Sequence, residues 1–258
     1  MSAVSDRLRS TTVAVFAVAQ VLSAPLTSLA LGPSSDQGPI SDANLSPVTP
    51  AGYAFAIWGL IYLAFLGYAV YQLLPAQRTR AVHRATGWWL AASAVLNMAW
   101  IIAFSNRYVL VAELLILALL AVLARVYGRL SRERSAGTAE RLALRLPVAL
   151  YTGWVSLAVV AGTAATGVRL GLPGDGALAE IAAVLILVVA AGIVASVVTY
   201  ATAVVGYAAA VVWALAGIAL NGPPAAVGVA AAVAVVVVLF AAARRGSTSG
   251  DPRRAAWG

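Results

Sequence analysis

Aromatic and amide side chains recur at helical spacing in three apolar stretches of this chain. Residues three and four apart share a face of an α-helix. The side chains that follow this spacing are Phe55, Trp58 and Tyr62, then Asn97, Trp100 and Phe104, then Tyr151 and Trp154. Indole and phenol faces with a few polar atoms at their edges suit a flat hydrophobic ligand. The spacing alone fits a packed aromatic core equally well, so both interpretations stand at this point.

Two polar side chains within the apolar stretches are expected to point into the protein. An amide in contact with lipid is unfavourable unless it is paired, so we expect Asn97 to face the bundle and to bring Trp100 with it. Glu113 falls about one helical turn inside an apolar stretch. The cost of exposing a carboxylate to lipid predicts the same inward direction for Glu113.

Dedicated catalysis has little support in the sequence. The chain has no Cys and a single His, His83, which excludes a disulfide, a thiolate site and a cluster of His ligands. The sequence contains no phosphate loop, HExxH motif or GxSxG motif. Because every basic residue is Arg, a retinal Schiff base is excluded as well. We therefore predict no catalytic residue and no metal site.

The elements that must position these residues are eight apolar stretches, each close to the roughly 20 residues with which a helix crosses about 30 Å of hydrocarbon. They cover about residues 12–32, 51–74, 85–105, 108–128, 146–167, 177–197, 200–220 and 223–243. The composition agrees, with 62% hydrophobic residues, 10% charged residues and a mean hydropathy of +0.92. We predict an all-α membrane protein, an eight-helix transmembrane bundle.

The distribution of Arg predicts which side is which. With eight crossings, fifteen of the seventeen Arg residues fall on one side, and Arg107 and Arg169 fall on the other. The positive-inside rule places the Arg-rich side, with both termini, in the cytoplasm. Anionic lipid headgroups explain this charge more simply than nucleic acid, which requires a basic patch on one folded face. A chain rich in Ala, Val, Gly and Arg without Lys is typical of a GC-rich bacterial genome, which predicts a multi-pass protein of the bacterial plasma membrane.

Three further segments carry expectations. Arg7 and Arg9 before the first apolar stretch are also compatible with a secretory signal peptide, but the stretch is long for one, so we expect a retained helix. Residues 33–50, rich in Pro, Ser and Gly, form a long outer loop that is either a functional lid or a plain connector. The tail, residues 246–258, is expected to be disordered.

Three short strings, taken in order, resemble one family. They are Phe55-Ala-Ile-Trp58-Gly-Leu-Ile-Tyr62, Leu96-Asn97-Met98-Ala99-Trp100 and Tyr151-Thr152-Gly153-Trp154-Val155. They match the W-x-x-x-Y, L-N-x-x-W and Y-x-x-W-V patterns in the second, third and fifth helices of the TspO/MBR family of tryptophan-rich sensory proteins. The resemblance covers about residues 10–168, and the whole chain is similar to longer bacterial relatives with extra C-terminal helices.

The resemblance implies a division of the chain and a site. Residues 1–168 would form a five-helix core, residues 169–245 a three-helix extension, and residues 246–258 the tail. The family binds porphyrins, haem-like tetrapyrroles, sterols or isoquinoline drugs beneath its first loop, in the same membrane half that charge and depth select here. The ligand-binding residues implied are Tyr53, Phe55, Trp58, Tyr62, Asn97, Trp100, Phe104, Glu113, Tyr151 and Trp154.

Departures from the family pattern fall in the same region. Tyr53, Leu150 and Gly162 stand where the family usually has Trp, Pro and Asn. Arg107 and Arg169 are the cations that could meet porphyrin propionates, although ordinary interfacial anchoring explains them too. Glu113 and another acidic residue, Glu180, are expected near the same surface, where they could pair with these Arg residues and lower the cost of placing charge in the bilayer.

The predicted function is a membrane-embedded, ligand-binding sensor or regulator with an aromatic pocket for a tetrapyrrole or another flat hydrophobic ligand under residues 33–50. A transporter of a hydrophobic or tetrapyrrole solute is one alternative, although the chain has no evident internal repeat. Light-dependent porphyrin breakdown through pocket Trp residues, which the resemblance suggests, is another, and a non-enzymatic role is favoured over it.

The partners expected are the lipid bilayer and a small hydrophobic ligand, with a porphyrin or haem-like group as the one possible cofactor. Small residues that permit close helix contact also allow a homodimer.

Overall fold

A computed structural model describes residues 3–43 and 46–258, and every regular element among them is helical. Short 3₁₀ segments cover Pro33–Ser35 and Gly52–Ala56, and a π-helical turn covers Arg141–Arg145. In chain order the helices are α1 (Ala3–Leu31), α2 (Gln37–Ala43), α3 (Ile57–Leu73), α4 (Pro75–Arg78), α5 (Ala81–Ser105), α6 (Val109–Arg132), α7 (Thr138–Glu140), α8 (Leu146–Arg169), α9 (Gly176–Tyr200), α10 (Val204–Ala219), α11 (Ala225–Thr248) and α12 (Pro252–Trp257).

Eight of these helices run back and forth between two ends of one bundle. At one end, called the basic end below, Arg84 binds Asp6 of α1 and Arg80 binds Glu140. At the opposite end, the Ser105 hydroxyl donates to the Ser35 carbonyl oxygen at 2.8 Å. The predicted all-α membrane bundle is confirmed, and the Arg-rich segments do meet at one end.

Among the described residues, seven helical spans are long and apolar enough to cross a membrane; the second of these spans is α3 together with the 3₁₀ segment before it, Gly52–Leu73. Helix α10 is shorter. Its 16 residues correspond to about 24 Å of helix, less than the roughly 30 Å of hydrocarbon. The helix still joins both ends: the Thr202 amide just before it donates to the Ser131 hydroxyl at the basic end, and the Asn221 side chain just after it donates to the Thr49 carbonyl oxygen. Ten of its residues are buried, so neighbouring protein rather than lipid surrounds its ends, where exposed backbone would be costly.

Small residues bring α8 and α10 into close contact. A Cβ atom on Gly153 would overlap the Tyr207 carbonyl oxygen, and one on Gly206 would lie 2.8 Å from a methyl carbon of Leu146. Close backbone approach at small residues is the usual basis of helix association in membranes. Although the division of the chain at residue 168 stays a prediction, α10 packs into the same core as the first five spans.

Buried ion pairs hold the basic end together. Arg84 donates to both carboxylate oxygens of Asp6 at 2.5–3.1 Å, which ties α1 to α5. Glu140 accepts from Arg80 at 2.6 Å and from Arg145 at 2.9 Å, which ties the segment before α8 to the one before α5. Arg145 and Glu140 are almost fully buried, so each charge depends on its partner.

Two segments differ from the sequence-based expectation. Residues 33–50 were predicted to be an irregular loop, but much of the described part is helical, in a 3₁₀ turn and α2; residues 44 and 45 lie outside the described residues. The tail 246–258 was predicted to be disordered, and this prediction is wrong, because α11 continues to Thr248 and α12 follows. Asp251 caps α12 by accepting from the Arg254 amide at 3.0 Å, and Arg141 donates to the Gly258 carbonyl oxygen at 2.8 Å. A local cap and a contact from a distant segment thus order the tail, and its polar composition alone indicates neither.

We expect Gly153→Ala to lower the melting temperature of the detergent-solubilised protein, because the added methyl group must push α10 away from α8. Overpacking of this kind typically costs about 1–3 kcal/mol. Gly67→Ala in α3 is the matched control, since a Cβ there meets no atom within 4 Å and Ala favours a helix by up to about 1 kcal/mol. Equal melting temperatures for the two variants would contradict the close α8–α10 contact.

Replacing Glu140 by Gln should destabilise the basic end strongly, because it leaves the buried Arg145 without a counter-ion. Breaking a buried pair by removing one partner costs about 3–5 kcal/mol. The control is Glu133→Gln, whose pair with Arg129 is solvent-exposed on both sides and is expected to contribute at most about 1 kcal/mol. Thermal unfolding of both variants in detergent measures the difference; a Glu140→Gln protein as stable as the control argues against a paired Arg145.

Candidate functional site

Trp58 lies at the centre of an aromatic cluster that joins α3, α5 and α8. Its ring stacks on Tyr62 at 5.5 Å and lies 5.4 Å from Trp100, and it meets Tyr151 and Trp154 edge-on at 5.7 and 6.1 Å. Trp58 and Trp100 are each 5% exposed, and Trp154 and Tyr151 are each 1% exposed. The spacing in the sequence therefore did bring the three strings of residues together.

Asn97 faces the interior, as expected from the cost of placing an amide in lipid. The Tyr62 hydroxyl donates to Asn97 Oδ1 at 3.0 Å, and both side chains are buried. The bond links α3 to α5 directly beneath Trp58. Its partners hold the cluster in register and lie below the cavity described next.

A cavity of about 210 Å³ opens above this cluster, towards the end opposite the basic end. Five of the ten predicted site residues line it, and they come from four segments of the chain: Phe55, Trp100, Phe104, Glu113 and Trp154. Trp58, Tyr62, Asn97 and Tyr151 do not line it and form the packed layer beneath it. The packed-core interpretation thus describes the lower layer, while the upper layer lines a cavity.

Tyr53 lies away from the cavity. Its side chain is half exposed, and its ring meets the edge of Trp213 at 5.9 Å. Trp213 in turn donates from Nε1 to the Ala54 carbonyl oxygen at 2.8 Å. Residues 52–56 form a 3₁₀ segment before α3 begins, and within it Phe55 lines the cavity while Tyr53 contacts Trp213 of α10.

The described part of the segment 33–50 covers the cavity. Ile40, Ser41 and Pro50 belong to its lining, and Ile40 is 2% exposed. A Cβ on Gly38 would lie 3.3 Å from the Gly52 carbonyl oxygen, so α2 rests closely on the start of the 3₁₀ segment. This is the position of a lid, although α2 gives it more regular structure than the sequence suggested.

Glu113 points inward and forms a hydrogen bond to α8. Its Oε1 accepts from the Thr163 hydroxyl at 2.6 Å, and a Cβ on Gly162 would lie 2.5 Å from its Oε2. The predicted pairing of Glu113 and Glu180 with Arg107 and Arg169 is wrong, since the described residues contain no such ion pair. The Thr163 hydroxyl donates to Glu113 instead, and Gly162, which has no side chain, leaves room for the carboxylate.

Two polar atoms of the cavity lining have no partner among the described residues. They are Trp154 Nε1 and Thr166 Oγ1, both buried. Buried polar atoms are almost always hydrogen-bonded, so each unpaired one requires an explanation such as a ligand or water. Thr166 was missed at the sequence level, although helical spacing from Trp154 through Ala158 and Gly162 places it on the same face of α8.

The mouth of the cavity carries the two isolated Arg residues. Arg107 and Arg169 both contribute to the lining, and both are exposed. Arg107 has a φ of 61°, a left-handed conformation that costs a residue with a Cβ about 1–2 kcal/mol. Such conformations are retained mainly where surrounding structure requires them, and binding sites are a common case.

Tyr62→Phe and Asn97→Ala should be energetically coupled, because the bond between them is enclosed in the bundle. Hydrogen bonds between membrane helices couple by about 0.6 kcal/mol on average and at most about 1.7 kcal/mol. Chemical or thermal unfolding of the two single variants and the double variant gives this coupling. Tyr53→Phe, with its half-exposed ring, is the control and should show no coupling to Asn97→Ala. If Tyr62→Phe also shows no coupling to Asn97→Ala, the hydrogen bond between Tyr62 and Asn97 does not stabilise the folded protein.

Comparison with known proteins supplies the family. No curated protein and no solved structure matches the chain. A family model described as TSPO-like protein matches residues 10–244, which includes all eight helices of the bundle rather than residues 10–168 alone. The recognition made from the aromatic strings is thereby confirmed, and the chain belongs to the TSPO-like protein family.

Proposed function

We propose that this protein is a membrane sensor or regulator that binds a flat hydrophobic ligand in the cavity beneath residues 33–50. The observation that carries the proposal is the combination of aromatic walls with two buried, unpartnered polar atoms, Trp154 Nε1 and Thr166 Oγ1. An apolar pocket with a small number of oriented polar groups is the usual form of a small-molecule site. Trp154 Nε1 can donate to the ligand, and the Thr166 hydroxyl can either donate or accept.

The volume of the cavity limits what it holds. About 210 Å³ lies below the roughly 300–1,000 Å³ typical of pockets that enclose a drug-sized ligand. A small aromatic ligand fits the space as it stands. A whole tetrapyrrole requires the lid to move outward, or it inserts one edge between Trp100 and Trp154 and leaves the rest at the mouth.

The charges at the mouth favour an anionic group on the outer edge of the ligand. Arg107 and Arg169 are exposed there and make no ion pair within the described chain. A carboxylate accepts two hydrogen bonds from one guanidinium in a planar arrangement. A porphyrin, whose propionates share one edge, therefore satisfies the mouth and the aromatic walls together.

We place the protein in the bacterial plasma membrane with its basic end in the cytoplasm. Fifteen Arg residues lie at or near that end, which is the asymmetry that the positive-inside rule describes. The cavity then opens towards the outer leaflet, and its ligand arrives from the periplasm or from the lipid phase.

Titration with protoporphyrin tests the site. Binding is measured by the quenching of Trp fluorescence. We expect the affinity to fall about 2- to 10-fold in Trp154→Phe and in Thr166→Val, the range expected for loss of one hydrogen bond. Trp88→Phe is the matched control, because that ring is 43% exposed at the basic end. Equal affinity of Trp154→Phe, Thr166→Val and the control would exclude this cavity as the porphyrin site.

The role of the mouth is tested separately. Arg107→Gln and Arg169→Gln should weaken binding of protoporphyrin and leave binding of its dimethyl ester unchanged, since the ester lacks the negative charges. Uptake of the porphyrin into proteoliposomes would favour transport over sensing, and light-dependent products that disappear in Trp100→Phe and Trp154→Phe would favour breakdown.

A further inference from the structure

A second recess lies at the basic end, on the surface between α5 and α6. It encloses about 300 Å³, and Trp89, Arg125, Arg129, Arg132 and Glu133 contribute to its walls. The recess is separate from the aromatic cavity, which opens at the other end of the bundle. It is called the Arg groove below.

The three Arg residues of the groove share one face of α6. Positions 125, 129 and 132 are four and three residues apart, which aligns them along the helix. The Arg125 guanidinium lies 4.6 Å from the centre of the Trp89 ring, and a Cβ on Gly128 would lie 3.9 Å from Arg132 Nη1, an ordinary van der Waals distance. Arg125 is thus held against Trp89 by a cation–π contact, and Arg132 extends along the same surface of α6.

Positive charge remains uncompensated in the groove. Arg129 pairs with Glu133 at 3.3 Å, while Arg125 and Arg132 form no ion pair with any described residue. Nearby acidic residues at this end are engaged elsewhere, because Asp6 binds Arg84 and Glu140 binds Arg80 and Arg145. Three guanidinium groups against one carboxylate leave the groove two charges positive.

The groove lies at the depth of the lipid headgroups. Trp88 and Trp89 are 43% and 40% exposed at the start of α5, and exposed Trp side chains collect at the membrane–water interface. Along the lipid side of the same two helices, Val95 and Leu117 are exposed apolar side chains that can contact acyl chains. A phosphate placed in the groove therefore has hydrocarbon on one side and water on the other, as the phosphate of a phospholipid has.

We propose that the Arg groove binds the phosphate of an anionic phospholipid in the leaflet at the basic end. Arg recognises phosphate through paired N–H donors, and basic pockets between membrane helices on the cytoplasmic side favour anionic headgroups. Binding at this place clamps α5 against α6, two helices that also carry Trp100 and Glu113 of the aromatic cavity.

The experiment measures binding of short-chain phosphatidylglycerol to the purified protein in a neutral detergent, by native mass spectrometry and by the rise in melting temperature that a bound ligand produces. We expect wild-type protein to retain phosphatidylglycerol in preference to phosphatidylcholine. The triple variant Arg125→Gln, Arg129→Gln, Arg132→Gln should bind it at least tenfold more weakly, since each Arg near an anionic surface contributes about fivefold.

The matched control is Arg134→Gln, Arg244→Gln, Arg253→Gln, which removes the same charge from exposed residues at the same end outside the groove. We expect it to bind as the wild type does. Equal weakening of both triple variants would overturn the proposal in favour of diffuse attraction to charge. Competition by millimolar inorganic phosphate would instead show a site for free phosphate and would overturn the lipid assignment.

A single variant guards against loss of folding. Arg132→Gln leaves the Arg125–Trp89 contact intact and should weaken binding about fivefold, with an unchanged helical circular dichroism spectrum. The groove is excluded as the phospholipid site if the folded Arg132→Gln protein and the triple variant both retain full affinity for phosphatidylglycerol.

Discussion

The packing of Trp58 against four other rings is the interaction on which the site depends. Lipid chains are as apolar as the core, so helices in a membrane associate through close packing and hydrogen bonds rather than through exclusion of water. Trp58 supplies both area and shape, because α3, α5 and α8 each place an aromatic ring against it. The cluster fixes the spacing of these helices and forms the floor of the cavity. Changing its central ring would therefore alter the fold and the site together.

The two ends of the bundle treat charge differently. At the basic end, Asp6 and Glu140 are buried and bound by Arg, so that the ends of several helices are tied to one another. At the opposite end, Glu113 is held by a hydroxyl, and Arg107 and Arg169 stand without a counter-ion among the described residues. The buried pairs resist displacement because separating them exposes an uncompensated charge. The bundle thus has one end held by buried ion pairs and one end whose two Arg residues lack an acidic partner among the described residues.

The sequence predicted the architecture well because membrane constraints are strong and local. A helix must satisfy its own backbone in lipid, so apolar length and Arg placement were sufficient to find the helices and the end of the bundle at which the Arg residues meet. Helical spacing likewise predicted that Trp58, Trp100 and Trp154 meet. Helical spacing could not predict which of these aromatic side chains line the cavity and which form the packed layer beneath it, because this depends on the rotation of each helix against its neighbours. Thr166 lay on a correct face of α8 and was overlooked, since a Thr is ordinary in a helix until its hydroxyl is seen to be buried without a partner.

Long-range contacts account for the remaining differences. α10 is short and is buried against α8 and α11, which no local pattern indicates, and α12 ends where Arg141 and Ser135 from a distant segment donate to the Gly258 carbonyl oxygen. The departure at Gly162 has a similar explanation. Where the family usually has Asn, this chain has no side chain, and the Glu113 carboxylate from α6 occupies the space. The wall thus still contains a polar group, but this group is the carboxylate of Glu113 from α6 instead of an amide from α8. A carboxylate only accepts hydrogen bonds whereas an amide also donates them, so this exchange changes the hydrogen-bonding character of the wall.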